Sequence, residues 1–145
     1  MPGILGTKAD LRFDLNLLLQ ILILTLVLVG SLYAKKKKFV THGKIMTTAI
    51  AIHTALILLV MGPSFIIYFN LLLQPQQLFG VIVTWVHVIL GTLAEVLGFY
   101  IVLKWKYNIK SISACAKRRK LMIPVRIFWV TSLILGIAFY IYYYL

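Results

Sequence analysis

Polar residues interrupt this chain only at long intervals, and between them lie four apolar stretches, at residues 15–34, 39–69, 78–103 and 121–145. Each is about 20 residues or longer, the length an α-helix needs to cross the hydrocarbon of a bilayer. Inside lipid the backbone has no water to bond, so a spanning segment must close its own hydrogen bonds as a helix. The predicted fold is therefore all-α: an integral membrane four-helix bundle forming one domain. The first stretch ends in Lys35, Lys36, Lys37 and Lys38 instead of a small-residue cleavage site, so it reads as a retained span and not a leader.

Local signals refine the elements. Thr7 and Asp10 have the spacing of a helix-starting cap, which makes Asp10, Arg12 and Asp14 solvated charges at the outer end of the first helix. Asn16, Gln20 and Thr25 are the few polar groups of that span, which reads as a packing and anchoring helix. Gly62-Pro63 predicts a kink or an end in the second helix, because proline gives no N–H and clashes with the preceding turn. Residues 64–77 then form a lid or re-entrant cap. Trp85, Trp105 and the tyrosines at 140, 142, 143 and 144 fall where interfacial aromatic belts form.

Composition agrees with this reading: 62% of residues are hydrophobic and 12% charged, with a mean hydropathy of +1.00. The net charge of +12 would suggest nucleic acid in a water-soluble chain, but its distribution gives it another meaning. Lys35 to Lys38 and Lys44 flank the first connection; Lys104, Lys106, Lys110, Lys117, Arg118, Arg119, Lys120 and Arg126 flank the third. At the N-terminus Lys8 and Arg12 are offset by Asp10 and Asp14, and residues 70–77 carry no charge. The positive-inside rule then makes both basic loops cytoplasmic and puts both termini outside, in a multi-pass protein of the cell membrane. No aromatic interleaving or recognition module accompanies the basic residues, so nucleic acid is not an expected partner. Cys115 is the one cysteine; it cannot form an internal disulfide, and it reads as an inert interfacial residue.

The candidate chemistry lies in three histidines, since an ionisable ring inside lipid calls for a partner or a function. Along the second span His42, Met46, Ala49 and His53 follow helical offsets, which place the two rings within about 20° of one another. Along the third, His87, Gly91, Ala94 and Gly98 repeat the same offsets, a small-residue stripe that permits close helix approach or leaves room for a flat macrocycle. For a second helix ending at Gly62, both His53 and His87 lie roughly 12 Å from the outer surface. Two imidazoles at one depth on facing helices suit axial ligation of a haem iron, so His53 and His87 are the candidate ligands of one haem b. The alternative is that each ring only bonds a nearby carbonyl or hydroxyl, such as that of Thr54 or Thr84. His42, near the cytoplasmic end, is a candidate ligand for a second haem only if Met122 joins it, and it otherwise reads as an interfacial residue.

Glu95 is the only acid in the last three spans. It is expected to be hydrogen-bonded, to pair with a base such as Lys44, or to serve a proton path, a cofactor propionate or a quinone. Met46, Met61 and Met122 with the histidines also raise copper, but their scatter in depth favours haem. There is no phosphate-binding glycine loop, serine elbow or carboxylate pair, so an electron carrier or accessory subunit is expected in place of a stand-alone enzyme.

The phrases His42-Gly-Lys-Ile-Met46 with Ala49 and His53, and His87-Val-Ile-Leu-Gly91-Thr-Leu-Ala94 running to Trp105, resemble small four-span membrane proteins related to haem-copper oxidase assembly factors. They are also similar to minimal members of the cytochrome b561-like class. The resemblance covers residues 39–105. The b561-like class implies haem at His53 and His87, with His42 as a further ligand; a two-haem member would use four histidines, and this chain has three. The assembly relationship implies a non-catalytic accessory subunit of a membrane oxidase or respiratory complex. The expected partners are thus the bilayer and either other membrane subunits or an outer-surface redox protein.

Overall fold

The computed structural model describes residues 3–73, 78–106 and 119–145. Cys115, Lys110, Lys117, Arg118 and Gln77 lie outside the described residues. Helix α1 spans Leu11–Lys35, α2 spans Phe39–Leu56 and passes through a π-helical turn at Ile57–Met61 into α3, Gly62–Ile67. A 3-10 turn covers Phe69–Leu73; α4 then spans Leu78–Lys106 and α5 spans Arg119–Tyr144. The described residues contain no strand. Four helical segments, with α2 and α3 counted as one, are long and apolar enough to cross a membrane. The protein is an all-α four-helix bundle of the integral membrane type.

At most 22% of the most apolar window of any of these helices is buried, and leucines and isoleucines such as Leu22, Leu32, Leu58, Ile89 and Ile134 stand on the outside. In water such a surface would aggregate; against lipid it costs nothing to leave exposed. The interior is a small cluster of Ile23, Val27, Ala49, Ile50, Leu56, Ala94, Trp129 and Leu133, drawn from all four spans. Helix α1 packs on α2 and α5, and α4 lies closely along α5, while α2 and α4 touch less.

Small residues set these approaches. Ala94 has no exposed surface. A Cβ at Gly91 would lie 2.9 Å from the Ser132 hydroxyl, and one at Gly98 would lie 3.2 Å from Cδ1 of Ile50. At Gly91 and Gly98 the stripe on α4 is met by α5 and α2, and its His87 and Gly91 also border a cavity.

Two turns depart from the simple pattern. Pro63 has no N–H to give to the carbonyl one turn back, and the Gly62 N–H reaches instead to the Ile57 carbonyl five residues away. This widened turn does not end the helix, so α3 continues to Ile67 and residues 64–67 are helix, not a re-entrant cap. At the other end of the bundle, α1 closes on Lys36 with Lys37 at φ 58°. The Lys38 N–H bonds the Tyr33 carbonyl and the Lys37 N–H the Ala34 carbonyl, each at 3.0 Å. This is a Schellman ending, which glycine ordinarily occupies.

The two chain ends meet. Lys8 N–H bonds the Tyr144 carbonyl at 3.3 Å, so the segment before α1 crosses the end of α5. Asp10 sits at the N-cap position without a side-chain capping bond, and Thr7 is not a cap either. Its hydroxyl lies 2.8 Å from that of Tyr140. Asp14 is fully buried, accepting from the Leu5 N–H at 2.8 Å and from the Tyr140 hydroxyl. The expectation of a solvated charge at Asp14 fails because neighbouring turns wrap the carboxylate in donors, an arrangement that only folding brings together.

Candidate functional site

Between this closed end and the core lies a cavity of about 510 Å³. Its walls come from every span: Asn16 and Gln20 of α1, His53 of α2, Met61 of the π turn, Thr84 and His87 of α4, and Ser132 and Gly136 of α5 are among them. The π turn faces it through Ile57, Val60 and Met61, in keeping with the tendency of π turns to mark functional positions. The volume falls within the roughly 300–1,000 Å³ of ordinary ligand sites. Apolar side chains dominate the walls, and a few polar groups converge.

His53 is buried against the core, its ring 5.7 Å from that of Trp129. Its Nδ1 lies 2.8 Å from Oε2 of Glu95, whose other oxygen accepts from the Thr54 hydroxyl. Glu95 therefore pairs with His53 and not with Lys44. That choice keeps a buried carboxylate beside a buried base, which limits the cost of holding either inside lipid. The pairing links α2 to α4, which otherwise touch less than the other neighbouring helices do.

His87 is held from α5. Its Nδ1 is 2.8 Å from the Ser132 carbonyl, and the Ser132 hydroxyl donates to the His87 carbonyl at 3.0 Å. A carbonyl oxygen can only accept, so Nδ1 of His87 carries the proton and Nε2 of the neutral ring is a bare lone pair. His53 is likewise held through Nδ1, by the Glu95 carboxyl group. Neither Nε2 has a hydrogen-bond partner among the described residues. Both histidines thus have Nδ1 anchored and Nε2 uncommitted on one cavity, the arrangement in which imidazoles ligate metals.

For the two histidines the depth reckoned from a helix end at Gly62 does not hold, since α3 runs on to Ile67. They meet at the cavity nonetheless. His42 does not join them: its Nδ1 lies 2.8 Å from the Gly30 carbonyl of α1, far along α2 toward the lysine-rich connection. Met122, half-buried in the first turn of α5, does not line the cavity either. Among the described residues no group of three or more His, Cys, Asp or Glu side chains converges.

Three features escaped the sequence. Ser132 was invisible because a serine in an apolar span is commonplace; its role comes from facing His87 on another helix. Gly136 lies under the His87 ring, where a Cβ would come within 3.0 Å of Cε1. Asn16 and Gln20 read as incidental polar groups in an anchoring helix, but both face the cavity. The one available signal was their spacing of four, which puts them on one helix face.

These features define a class of fold: a four-helix bundle of the integral membrane type, with a cavity among its helices on which His53 and His87 are anchored. Comparison with known protein families, curated proteins and solved structures returns no match to this chain.

Proposed function

We propose that this protein is a membrane electron carrier of the b-type cytochrome kind, in which Nε2 of His53 and Nε2 of His87 would hold the iron of one haem b in the cavity. The observation that carries the proposal is the shared state of the two rings: on different helices, facing one cavity, each with Nδ1 held by a hydrogen bond and Nε2 left over. Haem, when bound, supplies reversible one-electron chemistry at iron. The chain supplies the rest. Glu95 and the Ser132 carbonyl fix the orientation of the rings and make Nε2 a better donor, and the apolar and aromatic side chains of the cavity walls exclude water. With the basic loops in the cytoplasm the site lies in the outer half of the cell membrane, and its partner is an outer-surface redox protein or a neighbouring membrane subunit.

The alternative reading is a non-catalytic accessory subunit, with histidines and small residues serving packing against partners. The geometry favours it less: Gly91 and Gly98 of the α4 stripe are met by side chains of this chain's own helices, and His53 and His87 face a cavity. An absorption spectrum of protein purified after expression with adequate haem separates the two. Soret and α-bands of a low-spin haem are expected in the reduced protein, lost in His53→Ala and in His87→Ala and kept in His42→Ala. Absence of the bands from the native chain refutes the carrier.

A further inference from the structure

We infer that the amides of Asn16 and Gln20, stacked on the cavity face of α1, are the subsite for the carboxylate edge of the bound macrocycle, its two propionates. The inference rests on the haem reading above and assigns a function to side chains that reading leaves unused.

Gln20 is 3% exposed, and its Oε1 has no hydrogen-bond partner. Its Nε2 has only the Met61 sulfur at 4.0 Å, a weak acceptor at the limit of contact. Asn16 has a buried Oδ1 without a partner, and no bond is made by its Nδ2 among the described residues. Each is an amide in an apolar interior with almost nothing to bond, although such groups ordinarily find partners when buried. Both line the cavity that holds His53 and His87. They are four residues apart, so they lie one above the other along α1 and present two donor groups in a line.

A porphyrin with two propionates on one edge has the matching chemistry. Its apolar faces and remaining edges suit the aliphatic and aromatic walls, and its carboxylates need N–H donors. Rotating each terminal amide by half a turn exchanges oxygen for nitrogen at little cost where no partner holds it, so four N–H donors are available to two carboxylates. Neutral donors also suit this position better than a lysine would, since an unpaired cation in the bilayer is costly when the site is empty. The buried carboxylate of Asp14, two residues from Asn16, does not compete, because Leu5 and Tyr140 already bond it.

The test compares haem b with its dimethyl ester, in which both carboxylates are masked, by titrating each into the purified haem-free full chain and into Asn16→Leu and Gln20→Leu. The native chain should bind haem b more tightly than the ester. Each substitution should weaken haem b about tenfold, the worth of one charge-assisted hydrogen bond, leave ester binding unchanged and keep the low-spin spectrum. Thermal unfolding of the haem-free variants in detergent should be no lower than that of the native chain, since leucine removes a buried unpartnered amide. If the native chain binds neither compound, the haem reading itself fails. If it binds haem with a low-spin spectrum but the variants bind both compounds as well as it does, or lose both equally, the assignment of Asn16 and Gln20 is overturned and the haem reading stands.

Discussion

Replacing Gly136 with alanine tests whether His87 is held where the structure holds it. The added methyl carbon would lie 3.0 Å from Cε1 of His87, 3.4 Å from Nδ1 and 3.9 Å from Nε2. The ring cannot retreat freely, because Nδ1 is fixed at 2.8 Å from the Ser132 carbonyl. Moving it by a few tenths of an ångström stretches that bond, worth about 0.5–1.5 kcal/mol net, and crowding of this kind costs about 1–3 kcal/mol. Alanine in a helix returns roughly 0.5–1 kcal/mol over glycine. The balance is a loss of about 1–2 kcal/mol. At Gly98 the same substitution is crowded by the terminal methyl of Ile50 at 3.2 Å, which can swing aside, and meets Cγ1 of Ile50 and of Val125 at the ordinary contact distances of 3.8 and 3.9 Å, so it should be neutral or slightly stabilising. Trimming the ring should change the sign: in a His87→Ala background, Gly136→Ala loses its obstacle and should stabilise by up to about 1 kcal/mol. The assay is unfolding of the four haem-free proteins in mixed micelles followed by tryptophan fluorescence, which needs no assumption about the ligand. An equal cost for Gly136→Ala with and without the His87 ring would refute the packing argument.

Three further outcomes follow from particular contacts. Glu95→Leu should destabilise the bundle by about 1–3 kcal/mol, because it leaves Nδ1 of the buried His53 without that partner, whereas Glu95→Gln keeps an oxygen in place and should cost less; equal unfolding midpoints for the two variants would refute the pairing. Tyr140→Phe removes the hydroxyl that Asp14 and Thr7 share, so amide exchange at Leu5 and Lys8 should quicken while the core of α5 keeps its protection; unchanged exchange at both would show that the terminal segment is held by something else. Lys37→Gly should raise stability by about 1 kcal/mol, since the lysine occupies a left-handed conformation at φ 58° that glycine adopts without strain; a fall in stability on chemical denaturation would mean that the lysine side chain itself secures the turn.

Much of the fold was legible because lipid simplifies the code. Where water is absent a spanning segment has to be helical, so apolar length alone located the four helices to within a few residues at each end. Pro63 announced a disturbance, and its lost N–H did produce one. The form it took, a π turn that carries the helix on to Ile67, depended on the Gly62 N–H finding the Ile57 carbonyl, which is a matter of local geometry and not of composition.

By itself, the sequence determined the class of fold, the run of small residues on one face of α4 and the presence of histidines inside the spans, because each follows from hydropathy and helical period. Only the tertiary structure decided what those residues touch. It gave the α4 stripe to Ser132 and Ile50, placed Glu95 beside His53, turned His42 toward Gly30, and buried Asp14 under a segment that sequence places in solvent. The physical reason is that helical periodicity specifies a face but not the rotation, tilt or neighbour of a helix, and inside lipid those are settled by the packing and hydrogen bonds that arise only once the helices have met.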